Sequence, residues 1–227
     1  MSIKGFCCPC KKLSISISAS VRHVGLYQKL LDTPTNHHEP NKDSSSGLCC
    51  HERYLYPLLD KYVFVPNFDA ASDALTTVCE VLTNDKVIAS EYLQRDYDNF
   101  FKRYNLMLQH DSYVTKRMSL KLLGEILLDR TNFHVMIKYI SSRDNLRIIM
   151  LLLRDPSGNI QFEAFHVFKI FVANPNKPPE IVRILAQNKV KLVAYLDQFH
   201  KDKEEGDDQF RDEKALLITT LNALEEP

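Results

Sequence analysis

No tryptophan and only 6 glycines occur in this chain of 227 residues. Sandwiches and barrels need a turn residue at roughly every 8 to 12 positions, so this glycine shortage speaks against both and for helices. An excess charge of either sign is lacking too, because 29 Lys plus Arg balance 29 Asp plus Glu. No net field therefore draws the whole protein to nucleic acid or to an acidic membrane surface, and electrostatic recognition must be local. No run approaches the roughly 18 apolar residues that a membrane-spanning helix requires. The cysteines are Cys7, Cys8, Cys10, Cys49, Cys50 and Cys79, with none from Glu80 onward, which is not a disulfide framework and suits a reducing, cytoplasmic setting.

Catalytic signatures are missing as well. The chain has no Gly-rich phosphate loop, no G-x-S-x-G and no H-E-x-x-H. Glu163 and His166 share a helix without a third ligand at a sensible spacing, and read as a surface pair. Asp155, Ser157 and Asn159 open like a calcium loop, but Ile160 stands where Gly makes the sharp turn and His166 where a bidentate Glu belongs. Asp155 and Ser157 are better read as turn and cap residues. The expectation is a protein with no catalytic residues, no metal and no cofactor, working by binding other proteins.

Two unequal parts follow. Residues 1–51 hold five of the cysteines, a Ser-rich run from Leu13 to Val21 and a polar stretch from Thr33 to Gly47, which reads as a poorly ordered segment. Its acid-poor start shares features with transit peptides, and S-acylation of Cys7, Cys8 and Cys10 is a further alternative. These cysteines, with His37, His38 and His51, lack the paired C-x-x-C knuckles of a zinc site.

Residues 52–227 are built from amphipathic helices that recur. Asn67, Ser112 and Ser157 lie 45 residues apart, and each suits an N-cap. Behind them the small residues Ala74, Ser119 and Ala164 align, followed by Leu75, Leu120 and Phe165, by Val78, Leu123 and Phe168, and by Val81, Ile126 and Phe171. Those offsets describe one helical face, and a repeat near 45 residues falls in the armadillo and HEAT range. The predicted fold is an all-α armadillo/HEAT-like helical-repeat solenoid with three helices per repeat. Later helices are expected over Val87–Gln94, Asp96–Gln109, Phe133–Ile140, Asn145–Arg154, Glu180–Gln187, Val190–Lys201 and near Phe210–Leu224, with an acidic loop from Asp202 to Asp208.

A second stripe marks the helix that opens at Ser112. Tyr113, Arg117 and Lys121 fall on one line about 120 degrees from the apolar face. The repeat sets Ser72, Arg117 and Phe162 in one row and Thr76, Lys121 and His166 in the next, a mixed basic and aromatic surface expected to bind protein. Charges at this spacing can also be a solvated helix face.

Several segments carry a resemblance: VPNFDAASD from Val65, YVTKRMSLKLLGE from Tyr113, LDRTNF from Leu128, KYIS from Lys138 and NIQFEAFHVFKIFVANP from Asn159. From about Leu55 to Pro227 the chain resembles the calcium-binding protein 39 family, also called mouse protein 25, as an N-terminally truncated or divergent member. The resemblance implies a non-catalytic armadillo-like scaffold whose partners are sterile-20-like kinases or pseudokinases. Lys121 and Met150 match the pocket that takes a partner's C-terminal Trp-Glu-Phe type tripeptide, and Gln187 stands where the family commonly has a second pocket lysine. Tyr113, Arg117, Arg130 and Phe133 match the surface that grips the kinase domain. The alternatives are a truncated scaffold that binds the tail without activating a kinase, and an RNA-binding helical repeat, which zero net charge disfavours.

Overall fold

The computed structural model describes residues 54–225, so the expectations for residues 1–51, including acylation, lie outside the described residues. The described residues form helices α1 (Tyr56–Asp60), α2 (Phe68–Thr83), α3 (Lys86–Arg95), α4 (Tyr97–Leu108), α5 (Tyr113–Leu128), α6 (Phe133–Ile140) and α7 (Arg143–Leu152), then α8 (Gly158–Ala173), α9 (Pro179–Gln198), α10 (Lys201–Glu204) and α11 (Asp208–Asn222). Short 3-10 turns occupy Tyr62–Phe64 and Arg130–Asn132, and no strand occurs among the described residues. The fold is all-α and built on a helical repeat. It divides into two compact units, the first reaching Leu122 and the second starting at Leu123.

The 45-residue spacing is visible in the helices themselves. α2, α5 and α8 are each 16 residues long, and each begins directly after Asn67, Ser112 or Ser157. Ala74, Ser119 and Ala164 are fully buried, as are the large residues that follow them in each copy. In the first unit the small residue lets a neighbour come close: the hydroxyl of buried Tyr104 on α4 donates to the Ser119 carbonyl at 2.7 Å. Thr115 on the same helix donates to the Val63 carbonyl at 3.3 Å. In the second unit two buried asparagines donate to carbonyls in the last turns of the helices before them, Asn132 to Ile126 and Asn145 to Tyr139, both at 3.0 Å.

The caps are not equivalent. The Asn67 side chain accepts from the Ala70 N–H at 2.9 Å, whereas Ser157 has extended cap dihedrals but no side-chain cap bond. Asn67→Ala is therefore expected to cost about 1 kcal/mol and Ser157→Ala much less. Urea unfolding of the two variants against wild type checks this, and equal losses would contradict it.

The third copy departs from the expected pattern of three short helices. Glu180–Gln187 and Val190–Lys201 are not two helices, because α9 runs unbroken for 20 residues. Neither Gly nor Pro interrupts Gln187 to Val190, and the Asn188 side chain bonds to the Ile184 carbonyl at 2.8 Å inside the helix. Ile181, Leu185, Leu192 and Leu196 keep one buried face along it. The acidic loop contains the helical turn α10, and the final helix starts at Asp208, capped by Asp207, earlier than expected.

Candidate functional site

In the second unit α7 and α9 wall a groove of about 740 Å³, within the range of ligand pockets. α7 contributes Arg147, Met150 and Leu151, whose spacing keeps them on one face, and the turn that follows it contributes Arg154. α9 contributes Gln187, Lys191 and Tyr195 at the same kind of spacing. Leu153 and Leu192 are buried and form an apolar floor, while Leu151 stays 63% exposed on the rim. The Tyr195 hydroxyl donates to the Leu153 carbonyl and ties the two walls together. Burial raises the pKa of that phenol, with nearby Arg154 opposing the shift. Among the described residues that line the groove, none is acidic.

Of the residues matched to a tail pocket, Met150 and Gln187 thus line one groove. Met150 is half-buried and Gln187 exposed. Lys121 belongs to the first unit, where it is exposed on α5 with Tyr113 and Arg117, off the buried face of Thr115 and Ser119. Arg130 is exposed on a 3-10 turn of the second unit and Phe133, at the start of α6, is 56% exposed.

Phe162 and His166 are placed differently from Arg117 and Lys121, their counterparts one repeat earlier. Both are half-buried, and the Phe162 ring meets His166 at 4.7 Å and Phe210 of α11 at 5.3 Å. The Lys203 ammonium lies 4.2 Å from the Phe162 ring centroid. Phe165 stacks on Phe199 at 5.5 Å in the same aromatic cluster. Burial, reinforced by the Lys169 charge, lowers the His166 pKa. Lys169 itself pairs with Glu213 at 2.6 Å, which draws that carboxyl down against the opposing effect of burial. Glu163 is likewise half-buried, so it and His166 are not the exposed surface pair expected. In this copy the row is covered by α11 instead of open.

The calcium-like segment forms a turn. Asp155 accepts from the Ser157 N–H at 2.9 Å, and its own carbonyl accepts from the Gln161 side chain at 2.7 Å. Among the described residues no cluster of three metal-ligating side chains occurs, and no helix is long and apolar enough to cross a membrane.

What the fold and groove define is a helical-repeat protein with an apolar-floored, cation-rimmed cleft. The chain belongs to the Mo25-like family, whose model matches residues 26–225 and so begins upstream of the likeness that starts near Leu55. A Mo25-like protein of Schizosaccharomyces pombe is 54% identical over 158 residues, covering 70% of this chain and 48% of that protein. Calcium-binding protein 39-like of Homo sapiens is 52% identical over 164 residues, 72% of this chain and 48% of its own length. MO25-like protein 2 of Caenorhabditis elegans is 53% identical over 165 residues, again 72% and 48%. The chain spans about half the length of these curated relatives.

Proposed function

We propose that this chain is a non-catalytic cytoplasmic scaffold that binds sterile-20-like kinases or pseudokinases and activates them by binding their active conformation more tightly than the inactive one. The observation that carries this reading is the α7–α9 groove, where Met150 and Gln187 stand on facing walls above an apolar floor with cations around it. A partner's C-terminal tail with aromatic residues packs on the floor and on the Met150 thioether, and its carboxylates face the cations. The exposed Tyr113 and Arg117, and separately Arg130 and Phe133, engage the folded kinase domain.

The test adds the purified chain to a sterile-20-like kinase and measures phosphate transfer to a peptide substrate. The expected result is a saturable rise in activity, and Arg130→Ala with Phe133→Ala should raise the half-maximal concentration by roughly tenfold or more. Both side chains are exposed, so melting should be unchanged. Binding without any rise in activity would favour a scaffold that holds the tail but does not activate. Neither binding nor activation would end the proposal.

A further inference from the structure

His200 stands at the joint between α9 and α10, with φ of 45° in the left-handed region. Its ring meets Phe199 at 4.5 Å and Phe162 of α8 at 6.1 Å, and its Cε1 lies 3.1 Å from the place that a Cβ on Gly158 would take. The Nε2 atom is buried and has no hydrogen-bond partner among the described residues. A proton there adds a positive charge and a donor for which this packing offers no acceptor. His166 of α8 joins the same cluster, meeting Phe162 at 4.7 Å and Phe165 at 5.9 Å. Phe210 of α11 closes the cluster against Phe162 and Phe165.

The surrounding charges do not make a proton welcome. Lys169 faces His166 from its own helix, Lys203 of α10 faces both rings, and Lys214 of α11 faces His200. On the acidic side, Glu213 of α11 and its cap residue Asp207 face His166, and Asp202 of α10 faces His200. Glu213 is already paired with Lys169, and Glu204 of α10 with Lys214. Glu163, one turn before His166 on α8, is half-buried, while Asp197 at the end of α9 is exposed and lies 3.9 Å from Lys201. Burial holds both imidazoles below their ordinary 6.5, with Lys169 adding to this at His166 and Lys203 at His200.

We propose that His166 and His200 form a pH-sensitive latch, which keeps α10 and α11 closed over α8 while both rings are neutral and lets them open when the rings take up protons. Opening lifts Phe210 away and uncovers the aromatic face of Phe162 and Phe165. In the opened segment the imidazoles bind protons near 6.5, and in the closed one only at lower pH. Closure is therefore at full strength well above 6.5 and weakens as pH falls through that value. Between about pH 7.5 and 5.5, each histidine that stays neutral in the closed form shifts the opening equilibrium by up to about tenfold.

Hydrogen exchange of the full chain, corrected for the intrinsic pH dependence of amide exchange, reads the opening directly. Protection over residues 199–222 should fall by about tenfold or more from about pH 7.5 to 5.5, while α2, which has no histidine, keeps its protection. In His166→Gln/His200→Asn that selective fall should vanish, since Asn tolerates the left-handed backbone and neither side chain takes up a proton. Ring signals of the isotope-labelled wild-type chain, assigned through bonds, should show both imidazoles titrating below 6.5 whether or not the double variant folds. A wild-type chain without the selective fall, a folded double variant that retains it, or both rings titrating at or above 6.5 would each overturn the latch.

Discussion

Met150→Ala is expected to weaken binding of a peptide ending in Trp-Glu-Phe by about tenfold. Met150 is half-buried on the wall of the α7–α9 groove, where its flexible thioether offers packing surface to an aromatic ring. Truncating such a contact removes part of the roughly 1.5–3 kcal/mol that a buried apolar side chain contributes. Circular dichroism should match wild type, because Met150 is half-buried at a groove wall. Unchanged affinity in Met150→Ala would remove the groove from the tail site, and loss of helicity would assign Met150 to the core.

The repeat was legible because its signals are local. Three cap-type residues at a constant spacing, each followed by a small residue and then apolar ones on one face, need no tertiary knowledge to be seen. The helices they start have equal length. The unbroken α9 was harder, because the polar stretch Gln187–Asn188–Lys189 resembles a turn until Asn188 is seen bonding within the helix. The groove was half legible. Met150 matched a family pocket position and Gln187 stood at another where the family commonly has lysine, whereas Arg154, Lys191 and Tyr195 are ordinary surface residues until two helices far apart in sequence face each other. A signal existed in the spacing of Arg147, Met150 and Leu151 on one face, but nothing local says what lies opposite. The cover that α11 lays over Phe162 and His166 depends on where Phe210 packs, and residues 48 positions apart in sequence do not announce such a contact.

The same dependence on tertiary placement produces the largest expected loss of stability, at Lys214. By composition it is a surface lysine of an amphipathic helix, yet it is only 4% exposed. Its ammonium donates to the Phe199 carbonyl at 2.8 Å, to the Asp197 carbonyl at 3.3 Å and to the Glu204 carboxylate, which uses all three of its protons. Those carbonyls lie at the end of α9, where the helix leaves its last acceptors open and carries partial negative charge. The chain then turns through His200, which has φ of 45° in the left-handed region and so cannot continue the helix ladder. Lys214 supplies from α11 what α9 cannot supply for itself.

Lys214→Ala leaves two carbonyls without their donor and Glu204 without its partner. Removing one member of a buried pair costs about 3–5 kcal/mol, and Glu204 is 26% exposed and can turn to water, so a loss of about 2–4 kcal/mol is expected. That corresponds to a fall in Tm on the order of 10 °C. Lys214→Met, which keeps the apolar stem but not the charge, should recover only the packing part. Hydrogen exchange should rise first over residues 199–222, because α11 is held to this unit by that bond, by the Lys169–Glu213 pair and by the aromatic contacts of Phe210. A Lys214→Ala protein that melts within about 2 °C of wild type would mean that water can take over the bonds of the ammonium. A Lys214→Met protein as stable as wild type would place the contribution in the stem, not in the charge.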